Sequence, residues 1–479
     1  METATRVLSG AIAVMTEADT RMVSACFVSY LFGIITPHVS NHFFIREIFN
    51  CFTGFIVLAA LYNQKNVAII GCSVLLNLCL SFVLGKEKKK RGRVAVYVNL
   101  CYILLAYLVF DRADNNPFIT LTALFMKYFY VATEYLPQTH GIMAYFGYIL
   151  FTPGLRYGPV MSFGEYGKWL SRGYIYLLEG VDKAVVQKEI GSEKNERKVT
   201  EIKEGIVVRE YTHIIAYSAC KFAAALVYLI AHKKIEALCN KLCQIAPPFC
   251  AIPMMVVLCS VGKCFVICRW WTEEASYLMA FVPKMRSVDL KKNLFSRELS
   301  EMCASWNEQG SKFMHHMIGA FLDNTDANTN AENIEKPEST EKPENYLIEY
   351  ISTSILSYGH LLLFPSSLGG LALSLISIFT MALIPDHLTD IQTSNGFAIR
   401  FSSFLASKYL FAYFMLGMFT SPTTTITLWR YSLYLGQFLV ISEIVKLLGI
   451  RERQHDNPTT PELSTPDTNE DLNPEAVPE

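Results

Sequence analysis

Long apolar runs separated by short charged islands limit the possible folds of this chain more than any other feature. The runs fall near 22–36, 48–62, 66–84, 94–110, 118–133, 142–151, 166–178, 213–232, 245–268, 346–364, 368–384, 397–419 and 425–448. Crossing the hydrocarbon core of a bilayer takes roughly 20 apolar residues. Several runs approach that length, and the shorter ones suit tilted, re-entrant or protein-buried helices. Of 479 residues, 52% are hydrophobic and only 18% are charged, against about 25% charged in a soluble domain. The pattern calls for lipid as solvent. It predicts an all-α, polytopic protein with roughly ten to twelve membrane-embedded helices.

The stretch at 182–210 mixes Lys188-Glu189, Glu193-Lys194 and Glu196-Arg197-Lys198 without an apolar stripe. It reads as an exposed loop or a frayed helix extension. Residues 323–345 are rich in Asn, Thr, Glu, Lys and Pro, and 451–479 in Pro, Thr, Asp and Glu. Neither can bury enough apolar surface to order itself. The expected organisation is therefore one membrane body over 1–450, interrupted by two polar insertions, with a disordered acidic tail. Pro247, Pro248 and Pro253 should kink the 245–268 helix or delay its start. The first twenty residues, through Glu17, Asp19 and Thr20, lack the apolar core of a signal peptide. Insertion is expected to begin with the first true span.

A net charge of −1 argues against nucleic acid as a partner. The one basic run, Lys86-Glu87-Lys88-Lys89-Lys90-Arg91-Gly92-Arg93, fits a cytoplasmic anchor under the positive-inside rule. The alternative is a patch for anionic lipid or nucleotide phosphates. Thirteen cysteines include no CxxC pair, and Cys259, Cys264 and Cys268 have no His or carboxylate at ligand spacing. No metal and no bound cofactor are expected. GxSxG, HExxH and GxxxxGK[ST] do not occur.

Polar groups inside apolar runs carry the functional signal. His360 sits in Ser357-Tyr358-Gly359-His360-Leu361-Leu362, far from any charged residue. Desolvation would keep its imidazole neutral and able to accept a proton. It reads either as a general base or as a core histidine bonded to a carbonyl. Asn307, after Trp306, could orient a substrate or stabilise an oxyanion, or cap a helix. His315 and His316 point in different directions on a helix and read as interfacial. Arg269-Trp270-Trp271 reads as an anchor at a helix end, and paired intramembrane charges look scarce.

Three segments together resemble the membrane-bound O-acyltransferase (MBOAT) family. Phe151-Thr152-Pro153-Gly154-Leu155-Arg156-Tyr157-Gly158-Pro159, continuing to Tyr166, resembles its "P…GP…f..Y" signature. Trp306-Asn307 followed by Phe313-Met314 resembles its "WNxxTxxWL" segment, and His360 stands downstream where the family keeps its histidine. The polar turn from Asp114 to Lys127, and Arg269-Trp270-Trp271-Thr272-Glu273-Glu274-Ala275, resemble the lysophospholipid acyltransferase branch. The chain departs from the pattern at Gly310 (family Thr), Phe313 (family Trp) and Leu361 (family Gly after His).

The resemblance implies helices around an internal chamber in the endoplasmic reticulum membrane. It implies acyl transfer from acyl-CoA, a co-substrate, to the hydroxyl of a lysophospholipid. His360 would act as base and Asn307 would position the reacting groups, with Trp306, Gly158, Pro159 and Tyr166 lining or supporting the chamber. Rival readings are a transporter, another acyl acceptor (diacylglycerol, sterol or protein), or a family member without activity.

Overall fold

In lipid, a segment must satisfy its backbone polar groups internally, and an apolar run does this as a helix. The structure, a computed structural model, describes residues 17–39, 42–84, 87–109, 117–137, 139–172, 196–245, 250–282, 285–296, 302, 305–321, 397–419 and 422–432. Among the described residues the chain is all-helical and has no strand. The first helices are α1 (Glu17–Ile35), α2 (Phe43–Leu61), α3 (Gln64–Val83), α4 (Lys88–Val109) and α5 (Phe118–Glu134). Next come α6 (Ile142–Ile149), α7 (Phe163–Arg172), α8 (Glu196–Ile245) and α9 (Ala251–Met279). The last are α10 (Leu290–Phe295), α11 (Glu308–Phe321), α12 (Phe397–Phe419) and α13 (Pro422–Tyr431).

Among the described residues, five segments are long and apolar enough to cross a membrane: Thr20–His38, Phe43–Leu61, Gln64–Val83, Thr212–Leu242 and Ala251–Met279. They mark the chain as a membrane protein. Phe27, Phe52, Phe55, Leu75, Phe82 and Leu105 are exposed on α1–α4, which would be a liability in water and is ordinary against lipid. The expected spans at 346–364 and 368–384 lie outside the described residues, as do most of 425–448, the 323–345 insertion and the 451–479 tail.

Several local expectations meet their physical cause. α9 starts late, at Ala251, with Pro253 in its first turn, where a missing N–H costs no helical bond. Mixed-charge residues from Glu196 onward form the start of α8, which is the helix-extension reading of that stretch; residues 182–195 lie outside the described set. The apolar run at 118–133 behaves differently from a lipid-facing span. Residues 120–132 of α5 are buried without a break, so protein surrounds the helix. The run at 166–178 is described as far as Arg172, where it lies in the amphipathic α7; residues 173–178 lie outside the described residues. Ser162 and Glu165 cap the start of α7 reciprocally: Glu165 N donates to Ser162 Oγ at 3.2 Å, and Ser162 N to Glu165 Oε2 at 3.3 Å.

α9 is the central element, packed along α8 and α12 and meeting α1 and α13. Polar groups tie the remaining helices together. Tyr62 and Thr120 hydroxyls meet at 2.7 Å, as do those of Ser73 and Tyr128. Between α3 and α4, Asn77 and Asn99 exchange two amide hydrogen bonds of 2.8 Å each, both residues being buried. Interhelical bonds of this kind contribute about 0.6–2 kcal/mol in a bilayer. Asn77→Leu or Asn99→Leu alone should strand one buried amide and lower stability by about 1–3 kcal/mol. The double variant should recover most of that loss. Unfolding of the purified chain in detergent checks this, and simply additive losses would show that the amides act independently.

Candidate functional site

Two adjacent carboxylates on α9, Glu273 and Glu274, organise the region around the motif residues. Neighbours on a helix diverge by about 100°, so the pair reaches two different segments. Glu273 takes the loop between α6 and α7. Its Oε1 lies 2.6 Å from Arg156 Nε, with both side chains fully buried. Its Oε2 accepts from Gly154 N at 2.8 Å. Gly154 sits at φ +73° with the Pro159 carbonyl and the Tyr277 hydroxyl against it, so a side chain there would be both strained and blocked.

The same loop is gripped from other sides. Lys127 on α5 is fully buried, and its Nζ donates to the carbonyls of Tyr148, Ile149 and Phe151 at 3.3, 3.1 and 3.1 Å. It thus serves carbonyls at and just beyond the C-terminus of α6. Tyr148 OH donates to Met161 O at 2.7 Å. The Tyr157 ring carries the guanidinium of Arg156 at 5.4 Å and that of Arg269 at 5.1 Å. Gly158 and Pro159, joined by a cis peptide, are buried within this loop.

Glu274 holds the segment that bears Asn307. It pairs with Lys221 of α8, and its Oε1 accepts from Ser287 N at 2.6 Å. Residues 287–289 and 305–308 then clasp each other. Asp289 N donates to Ser305 O at 3.0 Å, and Glu308 N donates to Ser287 O at 2.9 Å. Asn307 stands at the mouth of α11, where its Oδ1 accepts from Gly310 N at 2.9 Å. The helix-cap reading of this asparagine is therefore correct as far as Oδ1 is concerned. A Cβ on Gly310 would overlap the Asn307 amide, which gives the departure at Gly310 a steric reason. Outside the spans, burial raises the Glu308 carboxyl, partly offset by Arg286 and Lys312. Burial also works against the charge on Asp289, but the Lys292 N–H and Arg286 outweigh it and hold that carboxyl low.

Trp270 joins the two halves. Its Nε1 donates to Tyr157 O at 3.2 Å, and its ring lies 5.2 Å from that of Trp306. Trp306 is 2% exposed and also contacts Phe411 and Phe419 of α12. The Tyr157-Gly158-Pro159 loop and Trp306-Asn307, some 150 residues apart, are one connected structure.

No protein-family model matches the chain, and no curated protein matches it significantly. The site therefore rests on its own geometry and on the motif resemblance.

His360 lies outside the described residues. Tyr166 belongs to a neighbouring layer: it contacts Tyr148, Phe151 and Trp169, and its hydroxyl accepts from Asn50 Nδ2 at 3.0 Å. It also lines a cleft of about 500 Å³ with Lys88, Glu134, His140, Glu165 and Lys168. His316 is exposed, with Nδ1 3.0 Å from Lys312 O. Trp270 is not an interfacial anchor; the loop and Trp306 bury it. Two charge pairs do occur among the described residues, Arg156–Glu273 fully buried and Lys221–Glu274 partly so. The sequence reading gave no role to Lys127, Lys263, Glu273, Glu274 or Lys408. Each is an ionisable residue in or beside an apolar run, and that alone singles it out.

Removing one member of a buried ion pair strands the other, at a cost of about 3–5 kcal/mol. Arg156→Met should therefore destabilise strongly, and Arg156→Met with Glu273→Leu should recover much of the loss. Thermal unfolding in detergent reads this, and equal losses in the single and double variants would contradict it.

Proposed function

We propose that the chain is a membrane-bound O-acyltransferase of the lysophospholipid type, acting on acyl-CoA at the endoplasmic reticulum membrane. In this reading ten to twelve membrane-embedded helices surround an internal chamber. The observation that carries it is the convergence of separate motif segments, the Tyr157-Gly158-Pro159 loop and Trp306-Asn307, on Trp270 of α9. Such convergence is what a reaction site needs and what scattered helix caps would not produce.

His360 removes the proton from the lysophospholipid hydroxyl as its oxygen attacks the thioester carbonyl. The tetrahedral oxyanion then collapses, the C–S bond breaks, and the CoA thiolate takes up the proton held by His360. Asn307 serves this step with its Nδ2, while Oδ1 stays engaged with Gly310 N. Burial around Trp306 keeps competing water out.

The two jobs of Asn307 can be separated. Asn307→Asp keeps an oxygen acceptor for the helix and loses the amide donor; Asn307→Ala loses both. Transfer of radiolabelled acyl groups should fall roughly 100-fold in each. Only the alanine variant should also lose about 1 kcal/mol of stability. An active Asn307→Asp would return the residue to capping alone. His360→Ala should abolish transfer, and normal activity in a well-expressed variant would sink its role as base.

A transporter is the second reading, favoured by the charge pairs Arg156–Glu273 and Lys221–Glu274. Solute flux across sealed vesicles without acyl transfer would decide for it.

A further inference from the structure

Two lysines converge on a single residue beside Trp306. Lys263 lies midway along α9 and donates from Nζ to Asn293 Oδ1 at 2.6 Å. Lys408 lies on α12 and donates from Nζ to the backbone carbonyl of the same Asn293 at 2.9 Å. Asn293 is buried and fixed in turn, its Nδ2 donating to Met302 O at 2.9 Å. The Lys263 ammonium also lies 4.4 Å from the Phe411 ring centroid and 5.4 Å from that of Trp306.

The partners of Lys408 among the described residues are neutral: the Asn293 carbonyl, Met302 Sδ at 3.3 Å, and the Phe404 ring at 5.1 Å. Holding a cation among neutral groups next to a second cation is unfavourable. A carboxylate partner would relieve it within the fold, and the sequence places none beside Lys408 on α12. Both lysines are only half-buried. Lys291 and Lys292 on the neighbouring α10 are exposed and lie beside Asp289, which caps that helix. Two cations held on one rigid, partly desolvated residue are an arrangement suited to an anion with several oxygens.

We infer that Lys263 and Lys408, braced by Asn293, form a phosphate-binding site beside Trp306-Asn307. The phosphate comes either from a nucleotide carrier such as CoA or from a phospholipid head group. That it belongs to a substrate of acyl transfer rests on the proposed function; the anion site itself does not.

The test is equilibrium binding to the purified full chain in nanodiscs of zwitterionic lipid. Two probe pairs isolate the phosphate: 4′-phosphopantetheine against pantetheine, and lysophosphatidate against a monoacylglycerol with the same acyl chain. In at least one pair the phosphate-bearing probe should bind more tightly. Lys408→Met should weaken it by roughly 10- to 100-fold, as expected for one lost charge-assisted hydrogen bond, and should leave its phosphate-free partner unaffected. Lys408→Arg should keep most of the affinity.

The pair that responds identifies the source of the phosphate. Thermal unfolding separates binding from a structural role: Lys408→Met should unfold no earlier than the parent chain, because it removes a cation held among neutral groups. If that variant does not fold, Lys263→Gln takes its place in the binding assay. Equal binding by parent and variant for both phosphate-bearing probes would overturn the site. Lysine-dependent binding without acyl transfer would leave the site standing and sink the proposed activity, and transfer without lysine dependence would do the reverse.

Discussion

Adjacent carboxylates at the end of α9 set the rest of the described structure around the motif residues. Glu273 binds the 151–162 loop through Gly154 N and Arg156, and Glu274 binds the segment that ends in Asn307 through Ser287 N. A helix is a stiff support, so two loops attached one residue apart cannot drift relative to each other. Trp270, one turn earlier, closes the arrangement by touching both. Positioning of this kind, from a rigid element rather than from loop to loop, is what a chemical site requires.

Burying that much charge is costly, and the fold offsets the cost with ion pairs and hydrogen bonds within the protein. Lys127 donates to three carbonyls, Glu273 pairs with Arg156 and accepts from Gly154 N, and Glu274 accepts from Lys221 and from Ser287 N. Replacing such pairs by apolar residues of similar volume is often neutral for stability. Stability alone therefore does not account for them, and the definition of loop geometry does. Lys408 differs, because its described partners are neutral. It is the half-buried charge that the inferred phosphate site builds on.

Some of the site could be read from particular residues. Pro253 marked the late start of α9, and Trp306-Asn307 marked the mouth of a helix, because local rules of backbone hydrogen bonding govern both. Trp270 was misread as an anchor because an Arg-Trp-Trp cluster looks the same at a membrane interface and in a core. For α5 the sequence left open whether lipid or protein surrounds the helix, because apolar composition reports burial without saying which does the burying. Paired charges went unseen because Arg156 and Glu273 are distant in sequence and neither carries a local signal of the other.

By itself, then, the sequence determined that the chain is helical and belongs in a bilayer, because hydropathy and the demand for internal backbone bonds act over single segments. It also nominated Asn307, Trp306 and the Gly158-Pro159 loop. Only the tertiary structure decided that these belong together and that Glu273 and Glu274 hold them. It alone showed that Asn307 already spends one atom on a helix cap, and that Lys263 and Lys408 share Asn293 beside Trp306. The reason is physical: a hydrogen bond or an ion pair between residues a hundred positions apart exists only once packing has placed both ends within about 3 Å.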